Sequence, residues 1–341
     1  MNKTITIIMI LLFANLSHSQ NNYSDLWKSV EKFEVEGLPE SALEVVETIS
    51  KKGEKDGNNV QRIKALLFKS KFALILEEDA QSKIINDFKT QISRSEFPTK
   101  NILESLLANL YWQYFQQNRW QFYNRTKTLE KVDKDDFRTW DLQTLFDEIS
   151  FHYQNSLKQQ LLLKLEDLKN FDELLILQKD SKTYRPTLFD FLAHNALEFY
   201  TTDENSITKP AYKFEIDNEQ FLNDAKSFSQ LDIVSKDSTS LQLQALKLYQ
   251  DLIQFHVKDE SPYALADIDI NRLLYVKQHA TFSDIDTKLL ETLKAESNRL
   301  KSHEVSALYD FEIASLYIQQ GSTYQPTINE EHRWKMKEAM A

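Results

Sequence analysis

Apolar side chains recur three and four residues apart along almost the whole chain. Ala42, Val46 and Ile49 form one stripe, Leu103, Leu106, Leu110 and Tyr114 a second, and Leu142, Leu145, Ile149 and Tyr153 a third. Leu188, Leu192, Ala196 and Phe199 follow, then Leu246, Tyr249 and Ile253, and later Leu308, Phe311, Ser315 and Ile318. A helix turns every 3.6 residues, so this spacing gives each segment one apolar face and a solvated charged face opposite. Strict alternation, the mark of a half-buried strand, is nearly absent.

Start and stop signals fall between the stripes. Pro39 suits a first helical turn, and Ser41-x-x-Glu44 and Ser283-x-x-Asp286 have the spacing of capping boxes. Ser261 before Pro262 predicts an N-cap and first helical residue, and Pro186 predicts a helix beginning just after Arg185. Gly53 and Gly57 bracket a polar turn, and Pro98 separates two more helices. The pattern lapses for long only from Thr201 to Asn218, where Pro210 precedes a short alternating piece, Tyr212 to Ile216. The expected organisation is a helical-repeat half over 20–200, a linker over 201–218 and a second half over 219–341.

Helices joined by short turns, with no strand partners, fit either a bundle or a solenoid of stacked helix pairs. Gly37-Leu38-Pro39-Glu40-Ser41-Ala42-Leu43, preceded by Trp27, looks like the turn and second helix of a tetratricopeptide unit, and Ala314-x-x-Tyr317-x-x-x-Gly321 like a first helix and turn. The expected fold is therefore all-α, a TPR-like α-solenoid of stacked pairs with at most one short strand or extended linker near 211–216. An irregular all-helical domain is the alternative.

Composition narrows the chemistry. Four glycines in 341 residues leave little room for P-loops, dinucleotide-binding turns or Gly-dependent hairpin arrays. No cysteine means no disulfide, thiolate metal site, catalytic thiol or lipidated N-terminal Cys. A formal charge of −11 argues against a nucleic-acid partner. The first twenty residues carry Lys3, an apolar run from Ile5 to Ala14, then Ser17-His18-Ser19, the layout of a secretory leader cut between Ser19 and Gln20. As a helix that run spans about 15 Å against a hydrocarbon core of about 30 Å, too short for a stable anchor. The expected product, after removal of 1–19, has no transmembrane anchor and is secreted, periplasmic or associated with the cell envelope.

Catalytic constellations are not visible. The seven histidines are scattered, there is no H-E-x-x-H and no G-x-S-x-G, and His194 with Glu198, one turn apart, lacks a third metal ligand. Asp135-Asp136 and Glu330-Glu331 are neighbours that diverge on a helix, and Asn124-Arg125-Thr126 matches a glycosylation acceptor only as a short pattern. No catalytic residue, metal or cofactor is expected. The richest cluster is Leu110 to Tyr123, with Tyr111, Trp112, Arg119 and Trp120. Such residues dominate binding hot spots and sugar platforms, yet an apolar belt all round one helix more often lies between two neighbours. Both readings, interface and core, stay open.

Four motifs in series carry a resemblance. They are Gly37-Leu38-Pro39-x-Ser41-Ala42-Leu43, Leu110-Tyr111-Trp112-Gln113-Tyr114-x-x-Gln117-Asn118-Arg119, Arg185-Pro186-Thr187-Leu188-x-Asp190-Phe191-Leu192-Ala193, and Asn329-Glu330-Glu331-x-Arg333-Trp334-Lys335. From about Trp27 onward the chain resembles the N-terminal helical region of large bacterial alpha-2-macroglobulin-like proteins. Members of that endopeptidase-inhibitor family continue into β-sandwich macroglobulin domains, a bait segment and, in some, a Cys-Gln thioester, and are viewed as secreted or envelope-associated protease traps. Those domains are missing here and no cysteine exists for a thioester, so the resemblance implies a truncated product, a fragment or a free-standing descendant of the module. The expected role is a non-catalytic scaffold for protein partners or for the missing macroglobulin domains. The alternative is an envelope glycan-binding helical-repeat protein.

Overall fold

A computed structural model describes residues 23–126, 131, 133, 136–204, 212–328 and 330–340. The leader and its cleavage point, Ser19 and Gln20, lie outside the described residues, as do Asp135, Asn329 and 205–211. The fold is all-α. Among the described residues there is no sheet; isolated bridges join Asp167 with Thr187 and Ile216 with Ala280. No described helix is long and apolar enough to cross a membrane.

The chain forms two compact units. The first comprises Met1–Lys158 with Phe171–Leu177, the second Gln159–Asn170 with Gln178–Ala341. The division falls near Lys158. Of the 201–218 stretch, residues 212–218 are anchored within the second unit: Ile216 is buried, its carbonyl accepts from Thr281 N–H at 2.9 Å, and Phe214 N–H donates to Asp237 Oδ2 at 3.1 Å.

The first unit holds α1 (23–35), α2 (Pro39–Lys55), α3 (Asn59–Leu76), α4 (Ala80–Arg94), α5 (Thr99–Tyr123) and α6 (Leu142–Ser156). Val30, Val46, Ile49, Ala65 and Phe72 bring α1, α2 and α3 into one core, and the small Ala42, fully buried, lets helices approach closely. Two turns are set by glycine in the left-handed region, Gly37 at φ 70° and Gly57 at φ 64°. After α2, Asn58 N–H bonds Gly53 C=O and Gly57 N–H bonds Glu54 C=O, the two hydrogen bonds that close a helix end around such a glycine. Gly53 lies inside α2, where a β-carbon would sit 3.2 Å from Arg62 Cγ on α3. Beyond these, α3 packs on α4, α4 on α5 and α5 on α6.

The second unit holds α7 (Gln160–Leu163), α8 (Ser181–Tyr184), α9 (Leu188–Tyr200), α10 (Ala225–Ser229), α11 (Leu241–His256), α12 (Tyr263–His279), α13 (Ile285–Arg299), α14 (Ser306–Gly321) and α15 (Lys335–Glu338). Helix α11 packs on α9 and α12, and α13 on α14. Arg272, fully buried, joins Asp269 on its own helix to the carbonyls of Phe221 and Asn223, with its guanidinium 4.5 Å from the Phe228 ring.

Several predicted helix starts shift. Leu38 is the N-cap of α2, so Ser41 lies within the first turn and caps nothing; Asp284 in the left-handed region, not Ser283, precedes α13. Pro262, not Ser261, precedes α12. Helix α9 starts at Leu188, two residues beyond Pro186, because Thr187 and Asp190 make a full capping box. Backbone geometry selects the cap from several serines or threonines with similar spacing, and spacing alone cannot.

Candidate functional site

Helix α3 ends in Leu74-Ile75-Leu76, and Leu74 is 54 % exposed. It forms one lip of a cleft between α3, α4 and α5, of about 450 Å³ with the open mouth included. Helix α5 contributes Leu110, Gln113, Tyr114 and Gln117, four residues at i, i+3, i+4 and i+7 that share one face. Ile84, Ile85 and Gln81 enter from α4. Among the described residues, the lining carries no charged side chain.

The floor is Phe137, whose ring meets Tyr114 nearly edge-on at 4.8 Å. It is held by a single 3-10 turn, Phe137–Thr139, capped by Asp136. Arg138 forks onto both oxygens of Asp136, at 2.7 and 2.9 Å, and also reaches Asp79 at the start of α4, tying the floor to the wall. Hydrogen bonds to Asp136 and Asp79 hold the guanidinium above its ordinary range, and the same bond to Arg138 holds Asp136 below the usual carboxylate range. Burial pushes the Tyr114 hydroxyl up, so the group stays protonated and neutral at physiological pH. The cleft thus has apolar walls and three primary amides, of which Gln113 already donates to Asn109 Oδ1 at 2.7 Å.

The aromatic cluster divides between core and surface. Tyr111 and Trp112 are buried: Tyr111 stands 5.2 Å from Phe137, 6.0 Å from Trp140 and 5.9 Å from His152, and Trp112 stacks on Phe115 at 5.3 Å. Arg119 and Trp120 are exposed, Trp120 at 67 %. Between the pairs the backbone leaves helical geometry at Asn118 (φ −117°, ψ 18°), whose amide donates to Tyr114 C=O at 2.9 Å. A uniform helical phase from 110 to 123 therefore does not hold: beyond the kink Trp120 is exposed while Phe122 is buried against Tyr114 and Phe115. Arg185, at the end of α8 in the second unit, is also exposed. Sequence reasoning missed Leu74, Gln81, Ile84, Ile85 and Phe137. The visible signal was the exposed run Leu74-Ile75-Leu76 followed by acidic residues.

Two buried imidazoles are clamped by carboxylates, one in each unit. His256 on α11 lies 2.7 Å through Nε2 from Asp190 Oδ1 and 2.7 Å through Nδ1 from Asp259 Oδ2. Burial by itself lowers its pKa, but the hydrogen bond and charge of Asp190, with those of Asp259, outweigh this and leave it raised. His152 on α6 lies 2.5 Å from Glu104 Oε2 on α5 and 3.5 Å from Glu148. Here too burial lowers, and Glu104 and Glu148 raise the pKa overall. Glu148 is driven to about 2, because His152 and Lys131 overcome the effect of its burial. With a carboxylate against each ring nitrogen these histidines act as helix-to-helix ties, and among the described residues no group of three or more His, Asp or Glu is placed to hold a metal ion. His194 uses Nδ1 on Asp190 C=O at 2.7 Å, with Nε2 3.7 Å from Asp267, and Glu198 is exposed.

No protein-family model, no curated protein and no solved structure matches the chain.

Proposed function

We propose that the chain is a non-catalytic, exported helical scaffold that binds other proteins, in the manner expected of the N-terminal part of an alpha-2-macroglobulin-like protein. The observation that carries this reading is the cleft of α3, α4 and α5, with Leu74 exposed at its lip. Successive helices packed as neighbours, α2 on α3, α5 on α6, α11 on α12 and α13 on α14, support a TPR-like stacked arrangement within each unit. The buried His256 supports a non-catalytic role, since both of its ring nitrogens are hydrogen-bonded to carboxylates.

A second reading, a glycan-binding envelope protein, draws on the exposed indole of Trp120. Photo-crosslinking in the native cell separates the two. A benzoylphenylalanine at Gln113 yields a protein adduct and one at exposed Glu40 on α2 does not, if the scaffold reading is right. No protein adduct at Gln113, or equal labelling at both positions, sinks it.

A further inference from the structure

We infer that the outer face of α14 pairs with the same face of a second copy of this chain, the two helices running antiparallel. The inference stands apart from the α3–α4–α5 cleft and does not depend on the scaffold reading. Leu308, Phe311, Ser315 and Ile318 lie along one side of α14, and that side is open: Phe311 is 67 % exposed and Ile318 50 %, with Leu308 and Ser315 half-buried. The packed side is the opposite one, where Tyr309, Leu316, Tyr317 and Gly321 are buried. Helices α12, α13 and α15 pack on α14 and leave the outer stripe exposed. A helix apolar on two sides has the pattern of one that lies between neighbours.

The steps along the stripe are three, four and three residues, the a and d spacing of a coiled-coil seam. Its shape fits a second copy in one direction. In an antiparallel pair centred on residue 313, near the middle of α14, Phe311 of one copy faces Ser315 of the other, and Leu308 faces Ile318. Each large ring then meets a small side chain. A parallel pair sets Phe311 on Phe311 and Ser315 on Ser315, which crowds one layer and hollows the next. Glu312 flanks the seam, and the nearby Lys277 charge of the same copy offsets part of the repulsion between two such carboxylates.

Area sets the kind of dimer. Sixteen residues of α14 give a strip about 24 Å long and about 13 Å wide, or about 300 Å² per copy. Met336, packed at Gly321 and half exposed, and the exposed Trp334 widen it at one end, for about 1,000 Å² over the pair. That is the lower bound for a specific interface and far below a permanent one, so the pair is a transient dimer with a dissociation constant between about 10 µM and 1 mM. Each copy carries a formal charge of −11, so salt strengthens the association by screening.

The test is sedimentation equilibrium of the full chain up to about 1 mM, where a reversible dimer is expected. Phe311→Glu weakens it by at least about tenfold, whereas Phe151→Glu, at a 55 % exposed phenylalanine of the first unit, leaves it unchanged. Ile318→Glu gives a second seam variant should Phe311→Glu misfold. Direction is read by disulfide trapping, since the chain has no cysteine of its own. A mixture of Leu308→Cys and Ile318→Cys chains cross-links under oxidation faster than either variant alone.

A chain that stays monomeric throughout, or a dimer indifferent to both seam variants, would overturn the inference. So would cross-linking of each single variant as fast as the mixture, which marks a parallel pair or chance encounter. Dimerisation that weakens with added salt points to a charge-paired interface elsewhere and overturns it as well.

Discussion

Replacing His256 with alanine removes the cation between Asp190 and Asp259. The Asp190 side chain has no exposed surface. Its Oδ2 stays bonded to the backbone N–H and hydroxyl of Thr187, at 2.9 and 2.7 Å, but Oδ1 loses the imidazole at 2.7 Å. Removing one partner of a buried ion pair leaves an uncompensated charge and costs about 3–5 kcal/mol. Asp190→Asn in the same chain removes that charge and recovers part of the loss. Four of the five tryptophans, Trp27, Trp112, Trp120 and Trp140, belong to the first unit, so intrinsic fluorescence reports the wrong place. Hydrogen exchange of the slowest amides in α9 and α11 is the suitable assay. Their protection is expected to fall by about a hundredfold to a few thousandfold.

The pH profile gives a second handle on the same tie. The folded pKa of His256 lies above its ordinary value of 6.5, so the folded state holds that proton more tightly than the unfolded chain does. The resulting stabilisation is fully present below pH 6.5 and is lost as pH rises through the raised folded value. His152 behaves likewise, and the difference between wild type and His256→Ala isolates the second unit. That difference is largest on the acid side and shrinks as pH rises through the raised folded value. A loss below about 1 kcal/mol, or a difference that grows with pH, would refute the reasoning.

Three further outcomes follow from the geometry. Thr187→Ala removes the capping box of α9 and costs about 0.5–2 kcal/mol by denaturant titration, whereas Ser41→Ala, at a position that caps nothing, stays within about 0.5 kcal/mol. Tyr111→Ala empties a fully buried site and costs about 3–5 kcal/mol, while Trp120→Ala, at an exposed position, leaves the melting temperature nearly unchanged; equal effects would contradict the division of the aromatic cluster. Gly321→Val places a β-carbon 2.7 Å from Met336 Cγ and 3.0 Å from its backbone nitrogen, so α15 is displaced and limited proteolysis after Lys335 or Lys337 accelerates.

The repeat of apolar residues at helical spacing determined the all-α class, because a helix must bury one face and the period announces which. Glycine scarcity and the positions of Gly37 and Gly57 likewise placed turns, since a left-handed residue there has few other occupants. Leu110 and Tyr114 were legible as one stripe, and they do share a face of α5. Three features belonged to the tertiary structure. Asn118 breaks the helical phase through a side-chain bond that competes with the backbone, so the exposure of Trp120 could not be counted from periodicity. Phe137 reaches the cleft through packing on Tyr111 and Tyr114, on a turn that Arg138 ties to Asp79, 59 residues earlier. His256 finds Asp190 across 66 residues. Local spacing fixes which helices form, because their hydrogen bonds and faces are local. Contacts between residues far apart in sequence decide which side chains meet, and these set the cleft, the clamped histidines and the boundary near Lys158.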